Sequence, residues 1–310
     1  MAQPLVILAG PTGVGKTALS LALAKAHHGE VISCDATQVY RGLDIGSAKL
    51  PLDQREGVPH HLIDVADPHE SYSAARFAKE AQRAAQDIAK RGHLPILCGG
   101  TGLYIDAVLY EMNFGGAPSS RKVRDRLEDL AKEEGPLALH ERLRQCDHIA
   151  ASAIHPNNVR RVIRALEVFE LTGQPFSSFS SPKTLNPLWT PFYYWLSMDR
   201  AALYERINQR VDQMMQEGLL REVEGLFTQG YHKELQSMQA IGYKELILYL
   251  EGTLSLEAAV DKIKQNTRNY AKRQITWFHR DEIARKLERE RMTDEEMLFR
   301  IEDDMNISHA

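Results

Sequence analysis

The sequence predicts an α/β fold, a parallel sheet with helices on both faces, carrying a helical insertion domain. Three observations predict it. Short apolar runs alternate with helix-favouring segments through the first third of the chain, the rhythm of βαβ units. A glycine-rich loop joins the first apolar run to the first helical segment. The rhythm then stops between residues 115 and 191, where Leu, Arg and Glu recur at helical spacing.

The elements follow in order. Residues 5–9 are an apolar strand ending in glycine. Residues 17–28 are rich in Ala and Leu, and Gly29 stands where a C-cap glycine belongs. Residues 30–34 form a second strand. Residues 72–91 have helical periodicity and stop at Gly92, and residues 93–98 form a third buried strand. Helices are expected over 121–134, 136–145 and 158–172, followed by a Pro/Ser-rich segment at 174–182. Residues 192–198 return to the sheet. Helices follow over 204–217, 219–228, 254–267 and 270–278, and from Asp281 a charged segment ends in a helix that can fray. The expected division is a core of residues 1–115 and 190–310 and a helical insertion of 116–189. At 310 residues the chain exceeds one usual core.

Composition excludes several classes. Hydrophobic residues make up 43 % and charged residues 26 %, ordinary for a globular chain. No apolar run approaches the roughly 18–20 residues of a membrane span, and Met1-Ala2-Gln3-Pro4 lacks the pattern of a signal peptide. Cys34, Cys98 and Cys146 lie far apart without a CxxC pair. This argues against a disulfide framework or zinc knuckle and suits a cytoplasmic protein.

Gly10-Pro11-Thr12-Gly13-Val14-Gly15-Lys16-Thr17 matches GxxxxGK[ST] between a predicted strand and a predicted helix. Gly13 and Gly15 let the backbone turn its amides toward phosphate oxygens, Lys16 adds a positive charge, and the Thr17 hydroxyl is placed to ligate Mg²⁺. The expected fold is therefore P-loop NTPase-like. Two absences narrow the chemistry. There is no NKxD base-reading motif, and the third strand ends in Gly99-Gly100-Thr101-Gly102 instead of a Mg²⁺-binding aspartate. Asp64 is a candidate substitute or a turn residue. A transferase that holds a phosphate or diphosphate is favoured over a motor-type ATPase.

Ligands sit at the carboxyl ends of parallel strands. There Cys34-Asp35-Ala36-Thr37-Gln38-Val39-Tyr40 leaves the second strand and Thr101 follows the third. Asp35 is a candidate general base and Thr101 a candidate hydrogen-bond partner. Turn or N-cap roles remain open for both. Arg206 and Arg210, four apart on one helix, are a candidate diphosphate clamp or a solvated basic face.

The net charge of −4 gives no hint of nucleic acid, yet it conceals a segregation. Residues 262–280 hold six basic residues, among them Arg268, Lys272 and Arg273, and no acidic one. Asn269, Tyr270, Gln274, Trp277 and Phe278 are interleaved, a mixture that suits a phosphate backbone and unstacked bases. The two last aromatics are also natural core residues. Residues 281–310 carry ten acids against five bases.

With these motifs in hand, the sequence resembles the tRNA dimethylallyltransferase (tRNA isopentenyl-diphosphate transferase) family, in its short bacterial form. The resemblance rests on Gly10 to Thr17, on Ser33 to Tyr40 and on Asp44-Ile45-Gly46-Ser47-Ala48-Lys49. It continues in Pro59-His60-His61-Leu62-Ile63-Asp64, Gly99 to Tyr104, Ala240-Ile241-Gly242-Tyr243-Lys244-Glu245 and Arg268 to Gln274. It implies transfer of a dimethylallyl group from dimethylallyl diphosphate to N6 of an adenine beside the anticodon. The P-loop would hold the diphosphate with Mg²⁺, and no nucleoside triphosphate would be hydrolysed.

Ala36-Thr37 replaces the Ser-Met of some members, and the C-terminal zinc finger of some eukaryotic members is missing. The resemblance also implies tRNA contacts at Asp35, Ala36, Thr37, Gln38 and Thr101, at Arg124, and at Arg160, Arg161 and Arg164. The expected partners are the tRNA anticodon stem-loop and dimethylallyl diphosphate, with no membrane and a monomeric chain. A P-loop small-molecule kinase and a non-catalytic RNA-binding protein are the rival readings.

Overall fold

The computed structural model describes residues 2–112, 119–179 and 183–307. The expected boundary at 115/116, Ser180 to Pro182 of the Pro/Ser-rich segment and the last three residues lie outside the described residues. The chain divides into two compact units, Met1–Leu109 with Asn186–Ala310, and Tyr110–Leu185.

The first unit begins with β1 (Gln3–Ala9), α1 (Lys16–Ala26), β2 (Glu30–Cys34), the two-residue β3 (His60–His61), α2 (Ala74–Lys90), β4 (Pro95–Gly99) and α3 (Gly102–Leu109). The second unit holds α4 (Arg121–Glu134), α5 (Pro136–Cys146), α6 (His148–Ala153) and α7 (Val159–Thr172). The first unit resumes with β5 (Trp189–Ser197), α8 (Arg200–Glu217), α9 (Leu219–Thr228), α10 (Tyr243–Leu250), α11 (Leu256–His279), β6 (Arg285–Glu288) and α12 (Asp294–Ile307).

The strands form one parallel sheet in the order β3-β2-β4-β1-β5-β6. Successive side chains on a strand point to opposite faces. Val6 and Leu8 of β1 share a core with Leu19 and Leu23 of α1, Leu203 and Ile207 of α8, and Met297 and Ile301 of α12. The alternate residues Leu5, Ile7 and Ala9 are equally buried. Both faces are therefore covered, which is why β1 reads as a continuous apolar run. Among the described residues no helix is long and apolar enough to cross a membrane.

Several elements differ from expectation. At the end of α1 the left-handed residue is His28, with φ 49°, while the Gly29 amide closes the cap on the Ala24 carbonyl at 2.8 Å. Gly29 is needed for space, because a Cβ there would lie 2.8 Å from Ile96 Cδ1. The two helices expected at 254–267 and 270–278 are one, α11. No Gly or Pro interrupts that span, and the β-branched Thr267 returns its hydroxyl to the Ile263 carbonyl at 2.7 Å. The edge strands β3 and β6 and the helices α6 and α10 carry weak sequence signals.

In the second unit Leu127, Leu139, Leu143, Val162 and Leu166 form a core of their own. Glu167 is fully buried beside it and is held by the Ser120 amide (2.7 Å), Arg124 (2.9 Å) and Arg164 (2.6 Å). Burial alone would raise its carboxyl pKa. These partners outweigh burial and leave it below the usual value.

Candidate active site

The loop Gly10 to Thr17 leaves β1 at its carboxyl end. Gly13 and Gly15 adopt φ +82° and +92°, left-handed values that side chains disfavour. Lys16 donates to the Gly10 and Pro11 carbonyls, each at 2.9 Å. Burial lowers the Lys16 pKa to about 8, and the Arg210 charge acts in the same direction.

A cavity of about 430 Å³ opens here. Thr12, Gly13, Gly15, Lys16 and Thr17 line one side, Arg206 and Arg210 of α8 another, and Asp35 and Gln38 a third. Arg210 is half-buried, and burial lowers its pKa, whereas Arg206 is exposed. The basic pair thus faces the phosphate loop. Gly10, Pro11 and Val14 are buried beneath it.

Asp35 Oδ1 accepts the amides of Thr37 (2.8 Å) and Gln38 (3.3 Å), an Asx-type turn. One oxygen therefore shapes the loop, and the carboxylate still lines the cavity. Thr101 does not cap α3 with its side chain. Its hydroxyl accepts the Ala36 amide at 3.1 Å and its own amide donates to the Cys34 carbonyl at 3.2 Å, tying the two strand exits together. Ala36 is exposed and Thr37 half-buried. Gln38 is committed locally. It accepts from the Ser33 hydroxyl at 2.8 Å and donates to the Ser47 carbonyl at 3.1 Å.

The Asp44 to Lys49 motif is a scaffold. Glu222 of α9 accepts the Ile45 amide at 2.8 Å and the Tyr243 hydroxyl at 2.6 Å. Lys49 is buried between Asp44 (2.7 Å) and Asp64 (2.5 Å). Asp64, with φ +58°, stands in a turn and pairs with Lys49.

Gln274 is the site residue that sequence reasoning passed over as one polar residue among the basic ones. Its Oε1 accepts the Thr12 amide and its Nε2 donates to the Gly100 carbonyl, both at 2.9 Å. It bridges the phosphate loop and the loop after β4. A Cβ on Gly100 would sit 2.1 Å from Gln274 Nε2, and one on Gly102 would sit 2.3 Å from Trp277. The glycines of Gly99-Gly100-Thr101-Gly102 admit α11. One turn before Gln274, the hydroxyl of Tyr270 interacts with Thr101, and its pKa is raised by burial and by the Asp35 charge.

The basic run on α11 is not one uniform face. Lys272 and Arg273 are exposed. Arg268 donates to Asn208 Oδ1 at 2.5 Å, and Lys264 pairs with Asp212 at 2.6 Å. Phe278 is fully buried and Trp277 half-buried. In the second unit Arg160 and Arg161 are exposed on α7, while Arg124 and Arg164 serve Glu167.

A family model described as IPP transferase matches residues 38–281, and one described as isopentenyl transferase matches residues 3–59. The chain belongs to the IPP transferase family. A tRNA dimethylallyltransferase of Bacillus pumilus is 51 % identical, over 89 % of this chain and 86 % of the relative. The crystal structure of the full-length tRNA isopentenylpyrophosphate transferase of Bacillus halodurans aligns with TM-score 0.73 and 44 % identity, covering 99 % of this chain and 100 % of the other. A eukaryotic dimethylallyltransferase, solved acting on tRNA, aligns with TM-score 0.75 and 35 % identity over 89 % of this chain and 70 % of that one. Family membership removes the basis for the kinase and non-catalytic readings. In IPP transferase terms, the cavity between the phosphate loop and Asp35 is the candidate active site.

Proposed function

We propose that the chain transfers a dimethylallyl group from dimethylallyl diphosphate to N6 of an adenine beside the anticodon of tRNA, releasing diphosphate. The observation that carries this reading is a single cavity with a cationic phosphate loop on one side and a carboxylate on the other. The loop amides, Lys16, Arg206 and Arg210 bind the diphosphate and stabilise the charge that develops as it leaves. Mg²⁺ fits a donor set of the exposed, cavity-lining Thr17 hydroxyl and the diphosphate oxygens. Among the described residues no group of three His, Cys, Asp or Glu could hold a metal alone. Bound there, Mg²⁺ would screen negative charge on the leaving group.

An exocyclic adenine amine is a weak nucleophile, because its lone pair is delocalised into the ring. Asp35 takes its proton as the C–N bond forms and the C–O bond to diphosphate breaks. Thr101 positions the Asp35 loop through the Ala36 amide. The base must be flipped out of the anticodon loop to reach Asp35. Ala36, Thr37 and Gln38 line its approach, and Gln38, whose amide donates to the Ser47 and Ala48 carbonyls, shapes the wall that receives the base. Exposed Lys272, Arg273, Arg160 and Arg161 hold the tRNA backbone. Arg124, Arg164 and Arg268 share that role. The insertion grips the anticodon arm, and the enzyme works as a cytoplasmic monomer.

The test is incubation of the purified chain with unmodified tRNA, labelled dimethylallyl diphosphate and Mg²⁺. Label is expected on tRNA without ATP. Asp35→Asn keeps an oxygen for the Thr37 amide and is expected to lower turnover by roughly 10²-fold or more, with tRNA binding retained. Undiminished turnover in Asp35→Asn would overturn the assignment.

A further inference from the structure

We propose that Arg289, beyond the residues matched by either family model, is a positioning residue for the diphosphate. It acts by polarising the peptide that joins Gly15 to Lys16. The inference rests on the reading that the loop binds a diphosphate.

Arg289 follows β6, and its amide is pinned to the Ser197 carbonyl at 3.1 Å, at the end of β5. Its side chain is 16 % exposed and lies against the loop. Nη2 donates to the Gly15 carbonyl at 2.9 Å, and Nη1 lies 2.7 Å from the Asp294 carboxylate in the first turn of α12. A Cβ on Gly15 would stand 2.9 Å from Nη2, so the bare Gly15 lets the guanidinium lie on the backbone.

The Gly15 carbonyl and the Lys16 amide belong to one peptide group. A charged donor on the oxygen draws electron density from the nitrogen and makes the N–H a stronger donor. In this loop the amides aim at phosphate. The same bond fixes the orientation of that peptide before the ligand arrives, which lowers the ordering cost of binding. Asp294 neutralises much of the guanidinium charge, so the effect is carried through the peptide more than through space. Among the described residues, Nε of Arg289 is buried with no hydrogen-bond partner. A stranded buried N–H is a cost, and packing alone gives no reason to retain it.

Two variants test this. Arg289→Met keeps the length and removes the donor. Arg289→Lys keeps one charged donor without the fork. Calorimetric titration with inorganic pyrophosphate and Mg²⁺, and steady-state kinetics with both substrates, are the readouts. Arg289→Met is expected to weaken pyrophosphate binding and raise KM for dimethylallyl diphosphate by about tenfold, the scale of one charge-assisted hydrogen bond. KM for tRNA is expected to stay unchanged and kcat within about twofold, with partial rescue in Arg289→Lys. Pyrophosphate binding in Arg289→Met equal to the parent overturns the inference. So does a parallel loss of tRNA binding in both variants, which marks general unfolding. If the parent itself does not bind pyrophosphate, the diphosphate reading fails, and this inference with it.

Discussion

Lys16 spans two carbonyls with one ammonium whose pKa burial has lowered to about 8. A diphosphate placed there opposes that shift and holds the proton on. The terminal phosphate of the substrate loses its last proton near about 6, so above that pH the change of charge in the loop is that of Lys16. KM for dimethylallyl diphosphate is therefore expected to rise as pH passes about 8, with kcat at saturation less affected. A pH profile of KM that stays flat from 7 to 9.5 would remove Lys16 from diphosphate binding. The loop residues were legible because a local run of sequence builds them, and Asp35 was legible from its place at a strand exit. Gln274 was not, because its partners Thr12 and Gly100 are remote in sequence and nothing near Gln274 signals them. Nor does sequence reveal that Arg124 and Arg164 answer a fully buried Glu167.

At the scale of elements, α11 works as a ruler. Tyr270, Gln274 and Trp277 lie on one stripe at helical spacing, and they meet Thr101, Gly100 and Gly102 in turn. Because Gln274 also holds the Thr12 amide, it sets the separation between the phosphate loop and the loop after β4. Gln274→Glu keeps the acceptor for Thr12 but points an oxygen at the Gly100 carbonyl. This displacement is expected to lower kcat on the order of 10²-fold, since misplacement of about 1 Å has that effect. KM for tRNA is expected to move little. Kinetics with both substrates saturating decide the matter, and a parent-like kcat would sink it. The alternation of apolar strands and helices made β1, β2, β4 and β5 readable. The strand β3 has two residues and β6 reads Arg285-Lys286-Leu287-Glu288, so neither carries a periodicity to detect. α11 runs unbroken through Arg268 and Asn269, where two helices are expected. Tertiary packing overrides local propensity there.

Across the whole molecule, the opposite end of the sheet holds an ionic cluster with a different role. Glu30, the first residue of β2, is 4 % exposed and takes Arg91 at 2.8 Å and His61 and His93 at 2.6 Å each. Burial alone would raise its pKa. The hydrogen bonds from Arg91, His61 and His93 prevail and set it at about 2. A folded-state pKa below the unfolded one contributes stability above the unfolded value, and that contribution is lost as pH falls through the folded one. Glu30→Gln is thus expected to cost about 2 kcal/mol at pH 7, with the partners' exposure limiting the figure. Thermal melts of variant and parent should converge between pH 4.5 and about 2, with kcat unaffected at neutral pH. A constant gap in melting temperature across that range would contradict the assignment. The connection of the two units has a consequence of another kind. Tyr110 pairs with Leu185 in an antiparallel bridge, and the Asn186 amide donates to the Leu109 carbonyl at 2.9 Å, so the chain departs and comes back through adjacent residues. To the first unit, everything from 110 to 185 is equivalent to a tight turn. Its closure entropy is borne by that pairing. A change in length between residues 110 and 185 then leaves Leu109 and Asn186 paired and the sheet's register as it stands.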